Sequence, residues 1–444
     1  MADLKPDIVG RRLSVTDYAA NFDDIHPALD AHEALVESDR CYFCFDAPCM
    51  QACPTSIDIP MFIRQIQTGH EKSAAKTIFD QNIFGGMCAR VCPTETLCEE
   101  ACVREEAEGK PVKIGLLQRY ATDALMADGV HPYERAAPTG KKVAVVGGGP
   151  AGLACAHRLS MHGHEVVVFE GREKAGGLNE YGIAAYKSTN DFAQKEVDFV
   201  LGIGGITVLN GKRLGAGLEL ADLQKDFDAV FLSIGLQGVN ALGAVNDDAP
   251  GVVDAIDYIA ELRQASDLSA LPVGRRVVVI GGGMTAIDVA VQSKLLGAED
   301  VTILYRRGQE QMKASRYEQE LAQTRGVKIK HWVMPREVIV ENGRAVALAC
   351  EYTREAAGRL SGTGETFVIP ADMIFKAIGQ AYIDVAGAKL ELEGGRIKVD
   401  SLKRTSLPGV WAGGDCVAGG QDLTVAAVDD GRRAAESINQ FLKA

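Results

Sequence analysis

The sequence predicts an α/β protein: an all-helical, cysteine-rich N-terminal domain followed by two nested Rossmann-like nucleotide-binding domains. Three observations carry that reading. Eight of the 11 cysteines lie between Cys41 and Cys102, in a stretch with no strand pattern. Val143-Ala144-Val145-Val146, a short β-branched run, leads straight into a glycine-rich turn and a helical stretch. The same design returns at Val277-Val278-Val279-Ile280. Strand, glycine turn, helix and second strand in succession make a βαβ unit. The expected boundaries are 1–138 for the helical domain, 139–265 and 376–444 for the two parts of the first nucleotide-binding domain, and 266–375 for the second.

Composition bounds the rest. The 444 residues are enough for two or three domains with full cores. Hydrophobic residues make up 47% and charged residues 24%, as in an ordinary globular chain. The formal net charge of −13 argues against nucleic acid and anionic membranes as partners. No apolar run follows Met1-Ala2-Asp3-Leu4-Lys5, so no signal peptide is expected. No stretch approaches the ~18 to 20 apolar residues of a spanning helix. The expected location is therefore cytoplasmic, where clustered cysteines serve as metal ligands more often than as disulfides.

Within the N-terminal region, 31–36 has helical spacing. Ile57-Asp58-Ile59-Pro60 opens a helix through Phe62, Ile63 and Ile66, and further helices are expected over 71–79 and about 114–126. The first cysteine-bearing stretch reads as tight loops. Residues 131–140, with two prolines, read as a linker.

The first nucleotide motif is Gly147-x-Gly149-x-x-Gly152, set between a strand and a helix. Its first glycine permits the tight turn, the second lets a pyrophosphate approach the backbone, and the third lets helix and strand pack closely. The helix N-terminus offers N–H groups to phosphate. Glu170 stands 18 residues past the last glycine, at the end of Glu165-Val166-Val167-Val168-Phe169-Glu170, where a carboxylate can accept from ribose hydroxyls. The second motif has Gly281, Gly283 and, in third place, Ala286. Its following strand ends in Tyr305-Arg306-Arg307 with no acid at the ribose position. An arginine there can pair with a 2′-phosphate, which leans toward NADPH over NADH.

After the second unit comes a β-rich stretch to about Lys376, and the chain closes with Val410-Trp411-Ala412-Gly413-Gly414-Asp415 and a helix from about Val425. Two such nucleotide sites and a closing Gly413-Gly414-Asp415 resemble the flavoprotein disulfide-reductase-like superfamily. The resemblance implies FAD in the first site and NADH or NADPH in the second. It assigns Gly414 and Asp415 to the FAD ribityl–phosphate region and the 421–426 stretch to the start of the helix beside the isoalloxazine. It adds Ala151, Gly177, Leu178, Thr285, Gly379 and Thr424 to the cofactor-binding candidates. Phe231-Leu232-Ser233-Ile234-Gly235 and Phe375-Lys376-Ala377-Ile378-Gly379 match the two strand–glycine crossings between domains. The superfamily's redox-active cysteine pair is missing: Cys155, Cys350 and Cys416 lie far apart and read as small buried hydrophobes.

For the clustered cysteines three chemistries compete. Disulfides do not suit the cytoplasm. Structural zinc wants paired C-x2-C knuckles, and among these cysteines only Cys41 and Cys44 have that spacing. Iron–sulfur clusters suit the short spacings, the Cys53-Pro54 and Cys92-Pro93 steps, and a flavin that needs a one-electron outlet.

Cys41-Tyr42-x-Cys44-x-Asp46-Ala47-Pro48-Cys49, Ala52-Cys53-Pro54-Thr55-Ser56-Ile57-Asp58-Ile59-Pro60 and Cys92-Pro93-Thr94-Glu95-Thr96-Leu97-Cys98-Glu99-Glu100-Ala101-Cys102 closely resemble the N-terminal region of dihydropyrimidine dehydrogenase. Counting thiolates alone would give four per cluster. The resemblance instead implies two [4Fe–4S] clusters with a glutamine among the ligands. Carried over by position, Cys53, Cys92, Cys98 and Cys102 hold one, while Cys41, Cys44, Cys49 and Gln118 hold the other. Cys88 is left as a buried non-ligand. The full-length family also carries an FMN barrel, and a TIM barrel alone needs ~200 to 250 residues. This chain ends a few turns after Asp415, so the resemblance narrows to the family's separate bacterial electron-input subunit. It implies an NAD(P)-dependent oxidoreductase that passes electrons from NAD(P)H through FAD and the clusters. The recipient is an FMN- and iron–sulfur-containing partner subunit, in a hetero-oligomer, which reduces uracil or thymine to the 5,6-dihydro form. No general acid or base is assigned, because the cofactors carry the chemistry. The glutamate synthase small subunit shares the architecture, but its motifs run differently, with Cys-Gly after the second cysteine and Glu near the position of Gln118.

Overall fold

The computed structural model describes residues 7–387 and 390–443. Their contacts divide them into two compact units, one formed by 26–180, 190–237 and 382–443, the other by 7–25, 181–189 and 238–381.

The first unit joins the cysteine-rich helices to the first nucleotide-binding sheet. Ala31–Ser38 starts in a capping box, in which the Asp30 carboxylate accepts the Glu33 N–H and the Glu33 carboxylate accepts the Asp30 N–H. Ile59–Gln67 starts where Asp58 accepts the Met61 N–H, with proline in its first turn. Its Ile59, Phe62, Ile63 and Ile66 are buried, the spacing of one helical face. Glu71–Gln81, Gly85–Val91 and Ile114–Ala127 complete the bundle. Gly85–Val91, which carries Cys88, is a helix that the periodicity of so short a stretch does not announce. Phe62, Ile78, Phe84 and Leu117 share a core with Leu153, Val200 and Val425, so the helices close over one face of the nucleotide-binding fold.

The sheet of this unit runs Val410–Ala412, Ala229–Leu232, Lys142–Val146, Glu165–Phe169, Ile206–Leu209, all parallel. Its central strands are buried on both faces, which is why they read as continuous apolar runs. The helix Pro150–Met161 lies against the C-terminal helix Thr424–Lys443. They pack so closely that a Cβ on Gly431 would stand 2.0 Å from the Ala151 carbonyl oxygen.

The second unit repeats the design. Its parallel sheet runs Val252–Asp254, Met373–Ala377, Arg276–Gly281, Asp300–Tyr305, Lys328–His331. A separate antiparallel sheet of Val333–Glu341, Arg344–Ala356 and Arg359–Pro370 accounts for the β-rich stretch. Two excursions complete its core. The Lys187 ammonium is buried between the Asp288 and Glu318 carboxylates, 2.8 Å from each. Residues 7–25, grouped by the sequence with the helical domain, fold here instead. The Tyr18 hydroxyl accepts the Arg12 N–H at 3.0 Å, and Tyr18 and Phe22 sit in one core with Leu262 and Leu296. Two aromatic side chains need a large apolar surface to cover them, and this nucleotide-binding core supplies it.

Candidate metal centre and nucleotide sites

The first glycine loop follows the strand Lys142–Val146. Gly147 has φ +103°, and a Cβ there would lie 2.2 Å from the Ser233 carbonyl oxygen, so only glycine makes the turn. A Cβ on Gly152 would stand 1.9 Å from the Gly147 carbonyl oxygen, which is the close helix–strand approach expected of the third glycine. Gly149 caps Pro150–Met161 without a side-chain bond, leaving the first-turn N–H groups for an anion. Gly177 packs on this loop, Leu178 opens the short helix Leu178–Tyr181, and the Thr424 hydroxyl donates to Asn179 at 2.7 Å. Asp415 lies beside Gly235. Burial pushes its carboxyl up to about 6, with Asp422 adding to the effect. The structure thus gathers Gly147, Gly149, Ala151, Gly152, Gly177, Leu178, Gly414, Asp415 and Thr424 around one loop. Glu170 is at the strand end as expected, but its two oxygens already accept the N–H groups of Gly148 at 2.8 Å and Arg172 at 2.7 Å. A carboxylate has lone pairs left for a ribose after both bonds.

The second loop is tighter. Gly281 has φ +151° and faces the Ala377 carbonyl oxygen, 2.1 Å from where a Cβ would be. Gly282 rests on the Tyr305 ring, while nothing lies within 4 Å of a Cβ on Gly283. That open position fits a pyrophosphate against the backbone. Met284–Leu295 again has no side-chain cap. Thr285 is exposed on its first turn and Ala286 buried. Arg306 is exposed, whereas Arg307 stands 3.7 Å from the Glu355 carboxylate. Gly379 lies just past the strand paired with the loop strand, its carbonyl accepting from the Asn240 amide.

Cys41, Cys44, Cys49 and Cys102 line one cavity with Ile59, Pro60, Ile63, Val112 and Ile114. This corrects the ligand partition drawn from the sequence. Cys102 sits with the first three cysteines because Cys102 caps the helix Val103–Glu108, whose Arg104 side chain reaches the Arg40 carbonyl. Cys88, Cys98 and Cys53 act on the Cys92 thiol, and Cys53 and Cys49 on Cys98, so Cys53, Cys92 and Cys98 remain as candidates for a second set. Gln118 is not among the residues that line the cavity of Cys41, Cys44 and Cys49. Its amide Nε2 donates at 2.7 Å to the carbonyl of Gly85, at the start of the helix that ends in Cys92, and the Glu99 carboxylate holds the Gly115 N–H at 2.9 Å. Cys88 is buried in that helix.

Burial raises the Cys49 thiol to about 12 and raises Cys41 and Cys98 as well, while Cys92 is raised first by its bond with Cys88. Proteins keep such thiols ionised by metal coordination, which deprotonates them outright. Among the described residues no three His, Cys, Asp or Glu side chains converge on a point that one metal ion could occupy. A cluster makes no such demand, since each thiolate takes a different iron. Four thiols around an apolar cavity fit it.

Sequence reasoning missed three supporting residues. Ser233 donates to the carbonyls of Val146 at 3.0 Å and Gly147 at 2.9 Å, fixing the first loop. Asp430 accepts the Gly414 N–H at 3.0 Å, and Asn179 meets Thr424. Ser233 was visible in the crossing motif; Asp430 and Asn179 carry no local signal.

Among protein families, residues 18–130 match the model described as dihydropyrimidine dehydrogenase domain II, 4Fe–4S cluster, and residues 141–431 match pyridine nucleotide-disulphide oxidoreductase. The chain is 35% identical over 422 residues to the NAD-dependent dihydropyrimidine dehydrogenase subunit PreT of Escherichia coli, covering 95% of this chain and 97% of that one. It is 34% identical over 451 residues to the E. coli glutamate synthase [NADPH] small chain, covering 95% and 94%. Mycobacterium tuberculosis FprA, solved in complex with NADPH, shares the fold over 68% of this chain and 85% of its own, at a TM-score of 0.57 and 19% identity.

Proposed function

We infer that this chain, which belongs to the pyridine nucleotide-disulphide oxidoreductase family and to its iron–sulfur branch with PreT and the glutamate synthase small chain, is the electron-input subunit of a pyrimidine-reducing enzyme. The chain is an NAD(P)-dependent oxidoreductase of the iron–sulfur flavoprotein kind, and it works with a partner subunit. The finer reading names that partner as an FMN- and iron–sulfur-containing subunit of the PreA kind, which reduces uracil or thymine to the 5,6-dihydro form.

With FAD, NAD(P)H and two [4Fe–4S] clusters bound, the chemistry supplied is hydride transfer to the flavin followed by release of single electrons to the clusters. The chain's residues hold the groups. The Gly147 and Gly281 loops and their uncapped helix N-termini would take the two pyrophosphates, and Glu170 the FAD ribose. Cys41, Cys44, Cys49 and Cys102 would hold one cluster, and Cys53, Cys92, Cys98 and Gln118 the other. The apolar lining around the first set would lower the polarity near the sulfurs, one of the levers on cluster potential.

The observation that carries the pyrimidine reading is Gln118, a buried amide bonded to the Gly85 carbonyl, where the glutamate synthase resemblance calls for Glu. The glutamate synthase reading keeps its support from the full-length match. Both are tested by purifying the chain with its natural partner and following NAD(P)H oxidation. Oxidation that requires uracil or thymine supports the proposal. Oxidation that requires glutamine and 2-oxoglutarate, with an amidotransferase in the partner, sinks it.

A further inference from the structure

We propose that Trp332 is the platform on which the adenine of NADH or NADPH stacks, and so a residue that sets affinity for the whole dinucleotide. This role rests on the second glycine loop as the nicotinamide-nucleotide site, not on the identity of the substrate.

The indole is held under strain and packs in no core. Trp332 has φ +58°, a left-handed conformation that is an outlier for a bulky side chain. Hydrogen bonds on both sides enforce it. The Trp332 N–H donates to the Arg307 carbonyl at 3.1 Å, and the Trp332 carbonyl accepts the Thr353 N–H at 2.8 Å. The Thr353 hydroxyl in turn donates to the Arg306 carbonyl at 2.7 Å. Among the described residues the Trp332 side chain joins no hydrophobic core, although that of Val333 does, and it stays partly exposed. Its six-membered ring reaches Gly308, 3.0 Å from where a Cβ would be, so glycine leaves the ring its room. Backbone strain fixed in this way, for an aromatic that fills no core, is the mark of a ligand contact.

The strand register names the ligand. Arg276–Gly281, Asp300–Tyr305 and Lys328–His331 run parallel, with Ile280 opposite Leu304 and Tyr305 opposite His331. Gly281, Tyr305 and His331 therefore end neighbouring strands at one edge, the carboxyl edge where such sheets bind ligands. In this motif the pyrophosphate sits at the turn after the first strand and the adenosine ribose at the end of the second. A dinucleotide continuing along that line brings its adenine to the end of the third. Trp332 is the first residue past that end, two strand spacings or about 10 Å across from Gly281. Between them stand Arg306, which is exposed, and Arg307, whose Nε is buried with no hydrogen-bond partner among the described residues and lies 3.7 Å from Glu355. Glu310, the one carboxylate in the 305–312 segment, is paired with Arg316 at 2.5 Å. An indole face accepts the π-face of a purine whatever the 2′ position carries.

The reporter is built in. The chain has two tryptophans, and Trp411 is buried, donating to the Ser437 hydroxyl at 2.9 Å. AMP and 2′,5′-ADP are each expected to quench the indole emission of the parent holoprotein and to leave that of Trp332→Asn, which retains only Trp411, unchanged. Asn tolerates the left-handed region, so the thermal midpoint of this variant should hold or rise. Flavin reduction is then followed with NADPH, NADH and reduced nicotinamide mononucleotide, which has no adenosine. In Trp332→Asn, kcat/KM for NADPH and for NADH should each fall about tenfold relative to that for the mononucleotide, the loss of one base–aromatic stack, with kcat at saturation kept. Trp332→Phe should restore most of the ratio. Unchanged ratios, emission that ignores both nucleotides or responds equally in the variant, or a lowered midpoint in Trp332→Asn overturn the platform. A parent holoprotein whose flavin neither NADPH nor NADH reduces overturns the electron-input reading instead.

Discussion

At the scale of single residues, the decisive correction is Cys102. Its sequence neighbours are Cys98 and Cys92, yet its thiol lines the cavity of Cys41, Cys44 and Cys49. The two pairings differ in what double variants do. If Cys41 and Cys102 hold one cluster, Cys41→Ser and Cys102→Ser should each remove about half the iron, and the double variant should remove no more. Cys53→Ser combined with Cys102→Ser should remove nearly all of it. Effects within a shared site are non-additive, and those between separate sites add. Iron and sulfide assays on the purified variants decide it, and the reverse pattern restores the partition read from the sequence. The cysteine candidates were legible as a residue type at a spacing, and Gln118 only through the family resemblance. Which thiols share a cavity was not, because the helices between them set that.

At the scale of elements, two strand–glycine–helix units do most of the work, and they differ at one strand end. The first ends in Glu170, the second in Tyr305 with Arg306 and Arg307 beyond it. Arg307 faces Glu355, so Arg306, which is exposed, is the better placed to meet a 2′-phosphate. Arg306→Ala should raise KM for NADPH roughly tenfold or more, as expected for a lost charge-assisted pair, with little change for NADH. Flavin reduction followed with each nucleotide measures this, and a parent protein that prefers NADH contradicts the assignment. A second element joins helix to helix. From Phe192–Leu201, Glu196 sends a carboxylate to the Met87 N–H at 2.9 Å, with Arg90 and Asp123 facing it. Burial pushes Glu196 from 4.5 up to about 8, so across that window the folded state holds a proton that the unfolded chain has released. Stability should therefore fall as pH rises from 4.5 toward 8, by up to ~1.4 kcal/mol per pH unit from this group, and then level off. Thermal midpoints against pH should show a shallower fall for Glu196→Gln. An unchanged slope would mean that Glu196 is ionised in the folded state.

At the scale of the whole molecule, the chain order and the packing order disagree. Residues 7–25 precede the cysteines in sequence but pack with the second nucleotide-binding sheet, against Leu262 and Leu296. Tyr18→Ala should cost about 3 kcal/mol, as large-to-small changes of buried aromatics do, and lower the thermal midpoint. Iron per chain should stay the same. Loss of iron with an unchanged midpoint would put this segment with the helical bundle. The helical bundle in turn shares its core with Leu153, Val200 and Val425. Among the described residues no helix is long and apolar enough to cross a membrane.

The sequence by itself determined the parts that depend on local chemistry. Gly147, Gly152 and Gly281 stand where a Cβ has no room, and apolar runs such as Val143–Val146 can only be buried strands. The cysteines stood out because few other purposes gather such residues at such spacings, and Gln118 entered only through the family resemblance. Tertiary structure decided what depends on distance through space. It placed Cys102 with Cys41 rather than Cys98, occupied both oxygens of Glu170, and set Ser233 and Asp430 behind the first loop. Those outcomes follow from how helices and sheets pack, and packing brings together residues that no local pattern connects.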